Sequence, residues 1–206
     1  MKYRHPLFIA VAATLLVACG SDNNSNNAAP STTTSRIRVV GDSLNDSGVF
    51  GLKFTVASAT GATKIWVDHV AAGLSLSNPC PRYIATSQTN VVLNPNASAC
   101  TSFAVGGARV NPVGAAADLS AFGIVTQLKA AAAVGDYAAD EVLLADGGGN
   151  DAASLFEFFL NPDKTQFISL LGEGLSQAQV AAAVAGGANG LVSAGADYMK
   201  VLANLF

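Results

Sequence analysis

Charge is scarce in this sequence. Only 12% of its 206 residues are Asp, Glu, Lys or Arg, and the formal net charge is −3. Soluble domains usually carry roughly 25% charged residues, so the surface must be built largely from small uncharged side chains. A weak negative charge without a run of like charges is the wrong footprint for a nucleic-acid binder. The longest apolar run, residues 7–17, is shorter than the ~20 residues that cross a bilayer comfortably. Histidine is nearly missing, with only His5 and His69 present. The acidic residues Asp140, Glu141, Asp146 and Asp151 have no His or Cys partners for a metal site, and they read as solvated turn residues. Gly147-Gly148-Gly149 is not followed by Gly-Lys-Ser/Thr, which argues against a phosphate loop. No internal repeat is present. The length suits one domain with a sizeable core.

The N-terminus reads as a targeting segment. Lys2, Arg4 and His5 form a basic start, and the apolar run ends in Leu16-Val17-Ala18-Cys19. This resembles the lipobox of bacterial lipoproteins. The resemblance implies that residues 1–18 are a signal peptide and that Cys19 is lipidated. It also implies that Gly20, in place of Asp, favours the outer membrane. Residues 21–35, SDNNSNNAAPSTTTS, are polar and have too little apolar content to offset the entropy of ordering. Residues 19–35 are therefore expected to be a flexible tether. The lipidated Cys19 leaves Cys80 and Cys100, which an oxidising compartment would let pair. Two unrelated buried thiols are the alternative.

Strands and helices alternate from residue 36 onward. Residues 36–40 (RIRVV) predict a buried strand, and Asn45-Asp46-Ser47 after it supplies helix N-cap chemistry. Residues 64–74 carry Ile65, Val67, Val70 and Leu74 at helical spacing. Residues 75–100 look loop-like. A short strand is expected over 102–105, a helix over 119–134, a strand over 141–145 and a helix over 150–160. Within that last segment, LFEFFL at 155–160 reads as core, with a substrate-side lid or a surface touching acyl chains as the alternative. Ser176, with Gln179 in capping-box position, opens an Ala-rich helical stretch, and Gly186-Gly187 kinks or divides it. This order predicts an α/β fold with a parallel sheet.

Each strand end carries a distinctive group: Gly41-Asp42-Ser43-Leu44, then Gly106-Gly107, then Gly148-Gly149-Asn150-Asp151. Open parallel sheets bind ligands outside the carboxyl ends of their strands, so the three turns should share one crevice. A Ser at such a turn, with nearby glycine N–H groups and an Asn amide, has the composition of an acyl-transfer site. VVGDSLNDSG, FAVGGA and GGND together resemble the first three sequence blocks of the SGNH/GDSL lipase and esterase family. The resemblance covers residues 36–206. It implies a three-layer α/β/α sandwich of flavodoxin-like type, with Ser43 as nucleophile and with Gly107 and Asn150 lining the oxyanion hole. It gives supporting roles to Asp42, Asp46, Gly106 and Asp151. It also implies a lipid or short-chain ester substrate, no metal and no cofactor.

Two features depart from the family pattern. Ser102 stands where the second block usually has Asn, and the family's final Asp-x-x-His does not occur in this sequence. His69 shares a helix with Asp68, but adjacent helical residues point about 100° apart, so His69 reads as a surface or half-buried residue. The chain is therefore expected to be the front part of an exported, lipid-anchored ester hydrolase, truncated at its C-terminus and lacking its base. The competing expectation is a non-catalytic surface lipoprotein, or a decayed fragment, that binds an acyl or glycan ligand.

Overall fold

The structure is a computed structural model that describes residues 33–56, 61–111 and 121–205. The expected signal peptide, Cys19 and all of the tether up to residue 32 lie outside the described residues. No described helix is long and apolar enough to cross a membrane.

The centre is a small parallel sheet. β1 (Arg36–Val40) pairs with β4 (Glu141–Ala145), from Arg36 opposite Glu141 to Val40 opposite Ala145. Four of the five β1 residues are buried, among them Arg38, so both faces of the strand are covered although Arg36 and Arg38 alternate with Ile37 and Val39. On its other edge, Val39 bridges in parallel to Ser102. Phe103 N–H donates to Val39 O at 2.7 Å, and Val105 N–H to Gly41 O at 3.1 Å. The strand expected over 102–105 is thus reduced to isolated bridges at Ser102, to Val39 on one side and Pro81 on the other, because the Gly106-Gly107 turn takes the chain away at once.

α1 (Trp66–Gly73) is shorter than the apolar pattern suggested. The Asp68 carboxylate accepts the Ile65 N–H at 2.9 Å, so the helix starts only after Ile65. Its Val67 and Ala71 pack on Ile37 and Val39 of β1. α2 (Ile124–Ala133) begins later than expected because Gly123 is extended. Its Ile124 and Ala131 lie in the larger core with Val40, Phe103 and Val105. α3 (Gly149–Leu160), α4 (Thr165–Gly174), α5 (Gln177–Ala185) and α6 (Gly187–Ala203) follow β4. The capping box at Ser176 and Gln179 is present, and Gly186 divides α5 from α6. α4 had no strong signal in the sequence, but it buries Phe167, Leu170 and Leu171. Core does not describe all of 155–160: Phe156 and Leu160 are 66% and 74% exposed. Leu155, Phe156 and Phe159 instead line an apolar cavity of about 280 Å³ with Leu191, Val192 and Met199.

Residues 75–100 are not a plain loop. β2 (Tyr83–Ser87) and β3 (Asn90–Leu93) form an antiparallel hairpin, with Tyr83 opposite Leu93 and a bulge between Ala85 and Ser87. The flanking Asn, Pro, Ser and Thr obscured two short β-prone runs in the sequence. Cys80 and Cys100 are joined by a disulfide at the base of this hairpin, with their Cα atoms 4.9 Å apart. The cross-link closes a separation of 20 residues. A loop of that length is expected to stabilise the fold by about 3 kcal/mol, mainly by restricting the unfolded chain. Urea denaturation with and without reductant should show that loss. Coincident curves would mean the hairpin is held without it.

Candidate active site

The three strand-end turns do converge, and carboxylates join them. β1 stops at Gly41, whose φ of +141° suits glycine. Its N–H donates to Gln127 Oε1 at 2.7 Å, and Gln127 Nε2 donates back to Gly41 O at 3.1 Å. Asp42 N–H reaches Asp146 Oδ1 at 3.3 Å, and the Asp42 carboxylate accepts the Leu44 N–H at 3.0 Å. Asn45 Nδ2 donates to Val40 O at 2.7 Å. Half-buried Ser43 stands between residues that are tied on both sides.

No helix follows Ser43 directly, so the N-cap expectation for Asn45-Asp46-Ser47 fails. Asp46 makes an Asx turn instead, its Oδ1 accepting Gly48 N–H at 2.8 Å and Val49 N–H at 2.7 Å. Gly48 and Gly51, with φ of +121° and +76°, hold the chain outside the helical basin. The other oxygen of Asp46 accepts the Gly106 N–H at 2.8 Å and so couples the first turn to the second. Burial raises the Asp46 pKa above the usual carboxylate value, against three lowering backbone hydrogen bonds.

The second turn presents Gly107, exposed at φ +82°. Asn150 lies in the first turn of α3, with Nδ2 2.9 Å from Ala108 O and 3.4 Å from Asp42 Oδ2. To bind an oxyanion, Asn150 would have to give up the longer of these contacts. Asp151 orients the second turn and not its own: its carboxylate accepts Val110 N–H at 2.9 Å and Asn111 N–H at 3.0 Å.

No family model, curated protein or solved structure matches this chain.

The acidic residues are not simply solvated turns. Asp151 is buried, Glu141 is bonded to Arg36 and Arg38, and Asp146 packs against Gly41. Among the described residues no group of three or more His, Cys, Asp or Glu side chains is placed to hold a metal ion. Ser102, in the place of the family Asn, is buried with its Oγ unpaired among the described residues. His69 is exposed on α1, and its imidazole makes no hydrogen bond among the described residues. Gln127, Asn45 and Asp146 shape the site, although the sequence drew no attention to them as site residues. A lone Gln on the buried face of an Ala-rich helix was the signal for Gln127.

Proposed function

We propose that this chain is a carboxylic ester hydrolase of SGNH/GDSL type, with Ser43 as nucleophile. The observation that carries this reading is a set of unengaged donors in one crevice. Among the described residues, neither Ser43 N–H, Ser43 Oγ nor Gly107 N–H makes a hydrogen bond. Asp42, Asp46, Asn150 and Asp151 meanwhile lock the turns that carry them. Backbone donors left without partners are what a tetrahedral oxyanion needs.

In this reading Ser43 Oγ attacks the ester carbonyl and forms an acyl-enzyme as the alcohol leaves, and water then releases the acid. Ser43 N–H and Gly107 N–H hold the oxyanion, joined by Asn150 once it turns from Asp42. The parallel pairing of β1 with β4, α1 against Ile37 and Val39, and α2 beside Val40 are consistent with the three-layer sandwich of that family. The substrate is a lipid or short-chain ester. The protein is exported and held at a bacterial outer membrane or surface through Cys19.

No imidazole approaches Ser43 among the described residues, so the chain alone should turn over slowly. Added imidazole can take the proton of Ser43. The expected result is an imidazole-dependent rate on p-nitrophenyl butyrate that Ser43→Ala lacks. Equal rates for the two proteins at every imidazole concentration would overturn the assignment. That outcome would favour the second reading, a non-catalytic surface lipoprotein that binds an acyl or glycan ligand, for which the lack of a nearby base speaks.

A further inference from the structure

Asp146 holds a place in the crevice that ester hydrolysis, as described above, leaves without a role. β4 ends with Ala145 opposite Val40, so the next residue leaves the sheet beside Gly41. A Cβ on Gly41 would lie 2.1 Å from Asp146 Oδ1 and 2.9 Å from the Asp146 carbonyl oxygen. The first turn is therefore built around this carboxyl, and glycine is the residue that leaves it room. Asp146 Oδ1 is also the acceptor for the partly buried Asp42 N–H, at 3.3 Å. That amide has no other acceptor among the described residues. Asp42 in turn holds the Leu44 N–H, so the residue before Ser43 and the residue after it both depend on the same chain of contacts.

We propose that Asp146 is a positioning residue for Ser43, its carboxyl packed on Gly41 and bonded to the Asp42 N–H so that it sets where the turn places the nucleophile. The word nucleophile rests on the ester-hydrolase reading, whereas the control of the turn does not.

The charges around this carboxyl make the control sensitive to pH. From the β1 turn, Asp42 faces it. From α3, Asn150 is neutral and Asp151 is occupied by the Val110 and Asn111 N–H groups. Asp46 is occupied by Gly48, Val49 and Gly106. No Lys or Arg forms an ion pair with any of these four carboxylates among the described residues. Burial first, and the Asp42 charge second, push the Asp146 pKa up to about 6. A carboxyl raised in the fold contributes stability below its ordinary value of 3.8 and loses it as pH rises through about 6. Below that range Asp146 is neutral and the repulsion across the turn is gone. Above it, two carboxylates face each other across the turn.

Amide NMR on the labelled chain reads this directly, with or without catalysis. Between about pH 4 and about pH 8, a window spanning the carboxylate range, the Asp42 and Ser43 amide shifts should share one inflection near 6. Asp146→Asn keeps an oxygen that accepts the Asp42 N–H but removes the titration, so the inflection should vanish while the fold remains. A wild-type chain whose Ser43 amide shows no inflection there, or an Asp146→Asn chain that retains it, would overturn the proposal. The imidazole assay against Ser43→Ala is run in parallel. Its failure removes the ester-hydrolase reading, and the amide titration still decides whether Asp146 sets the turn.

Discussion

Replacing Arg38 with methionine is expected to lower unfolding stability by about 3–5 kcal/mol, the usual result of removing one member of a buried ion pair. Arg38 is the largest fully buried side chain in the described structure. It points out of the central strand toward the end of α2, where its guanidinium donates to the carbonyls of Ala131, Gly135 and Asp136. The Ala131 carbonyl is one that the end of α2 leaves without an intrahelical partner, and Gly135 and Asp136 lie just beyond that end, so a cation placed there is favourable. Glu141 balances the charge at 3.0 Å, and the Tyr137 ring lies 4.3 Å from the guanidinium carbon. Methionine fills much of the volume but leaves three carbonyls and a carboxylate without this donor. The Glu141 pKa is lowered to about 2, first by the Arg36 hydrogen bond and less by Arg38. A depressed carboxylate contributes stability above its ordinary pKa and loses it as pH falls toward 2. The Arg38→Met deficit should therefore shrink in acid. A urea midpoint that moves by less than the equivalent of about 1 kcal/mol would show that the burial of Arg38 carries little stability.

The second large effect is expected at Asp46. One carboxylate satisfies three backbone N–H groups, those of Gly48, Val49 and Gly106. Alanine leaves all three without an acceptor, and each buried unsatisfied donor costs about 1–3 kcal/mol. Gly48 is partly exposed and regains water, so the total should be about 2–4 kcal/mol. Asparagine should do less harm to the Asx turn and more to the Gly106 link, because its amide nitrogen cannot accept. Hydrogen exchange separates the two links: Asp46→Asn should speed exchange at Gly106 more than at Val49. If Asp46→Ala melts with the wild type, the two turns are held together by something other than this carboxylate.

Much of the fold was legible because its signals are local. RIRVV is a strand wherever it is buried, and Ser176 with Gln179 caps a helix in any context. The ends of β1 and β4 also match the sequence reading residue for residue. The hairpin of β2 and β3 was missed because its stability comes from pairing across the chain and from the disulfide. Four- and five-residue runs among Asn, Pro and Ser carry too little periodicity to announce a sheet. α4 was missed for a related reason: Phe167, Leu170 and Leu171 mark a helix only once a core exists for them to face. Within the site, three glycine-bearing turns were expected to come together, and contacts from Asp46, Asn150 and Asp151 tie them to one another. The errors lie in the supporting contacts. Nothing local distinguishes Asp146 from a solvated turn residue, because its burial depends on the missing Cβ of Gly41, a residue 105 positions earlier in the chain. The N-cap reading of Asn45-Asp46-Ser47 failed because Asx turns and helix caps use the same side chains, and the following Gly48 decides between them.

One consequence of the β1–α2 contacts reaches beyond stability. α2 grips β1 at two heights: its C-terminal carbonyls hold Arg38, and Gln127 holds both backbone groups of Gly41. The helix is thus a splint along the strand that carries Ser43. Strand and helix are therefore expected to move together, so that the turn bearing Ser43 is braced from the α2 side.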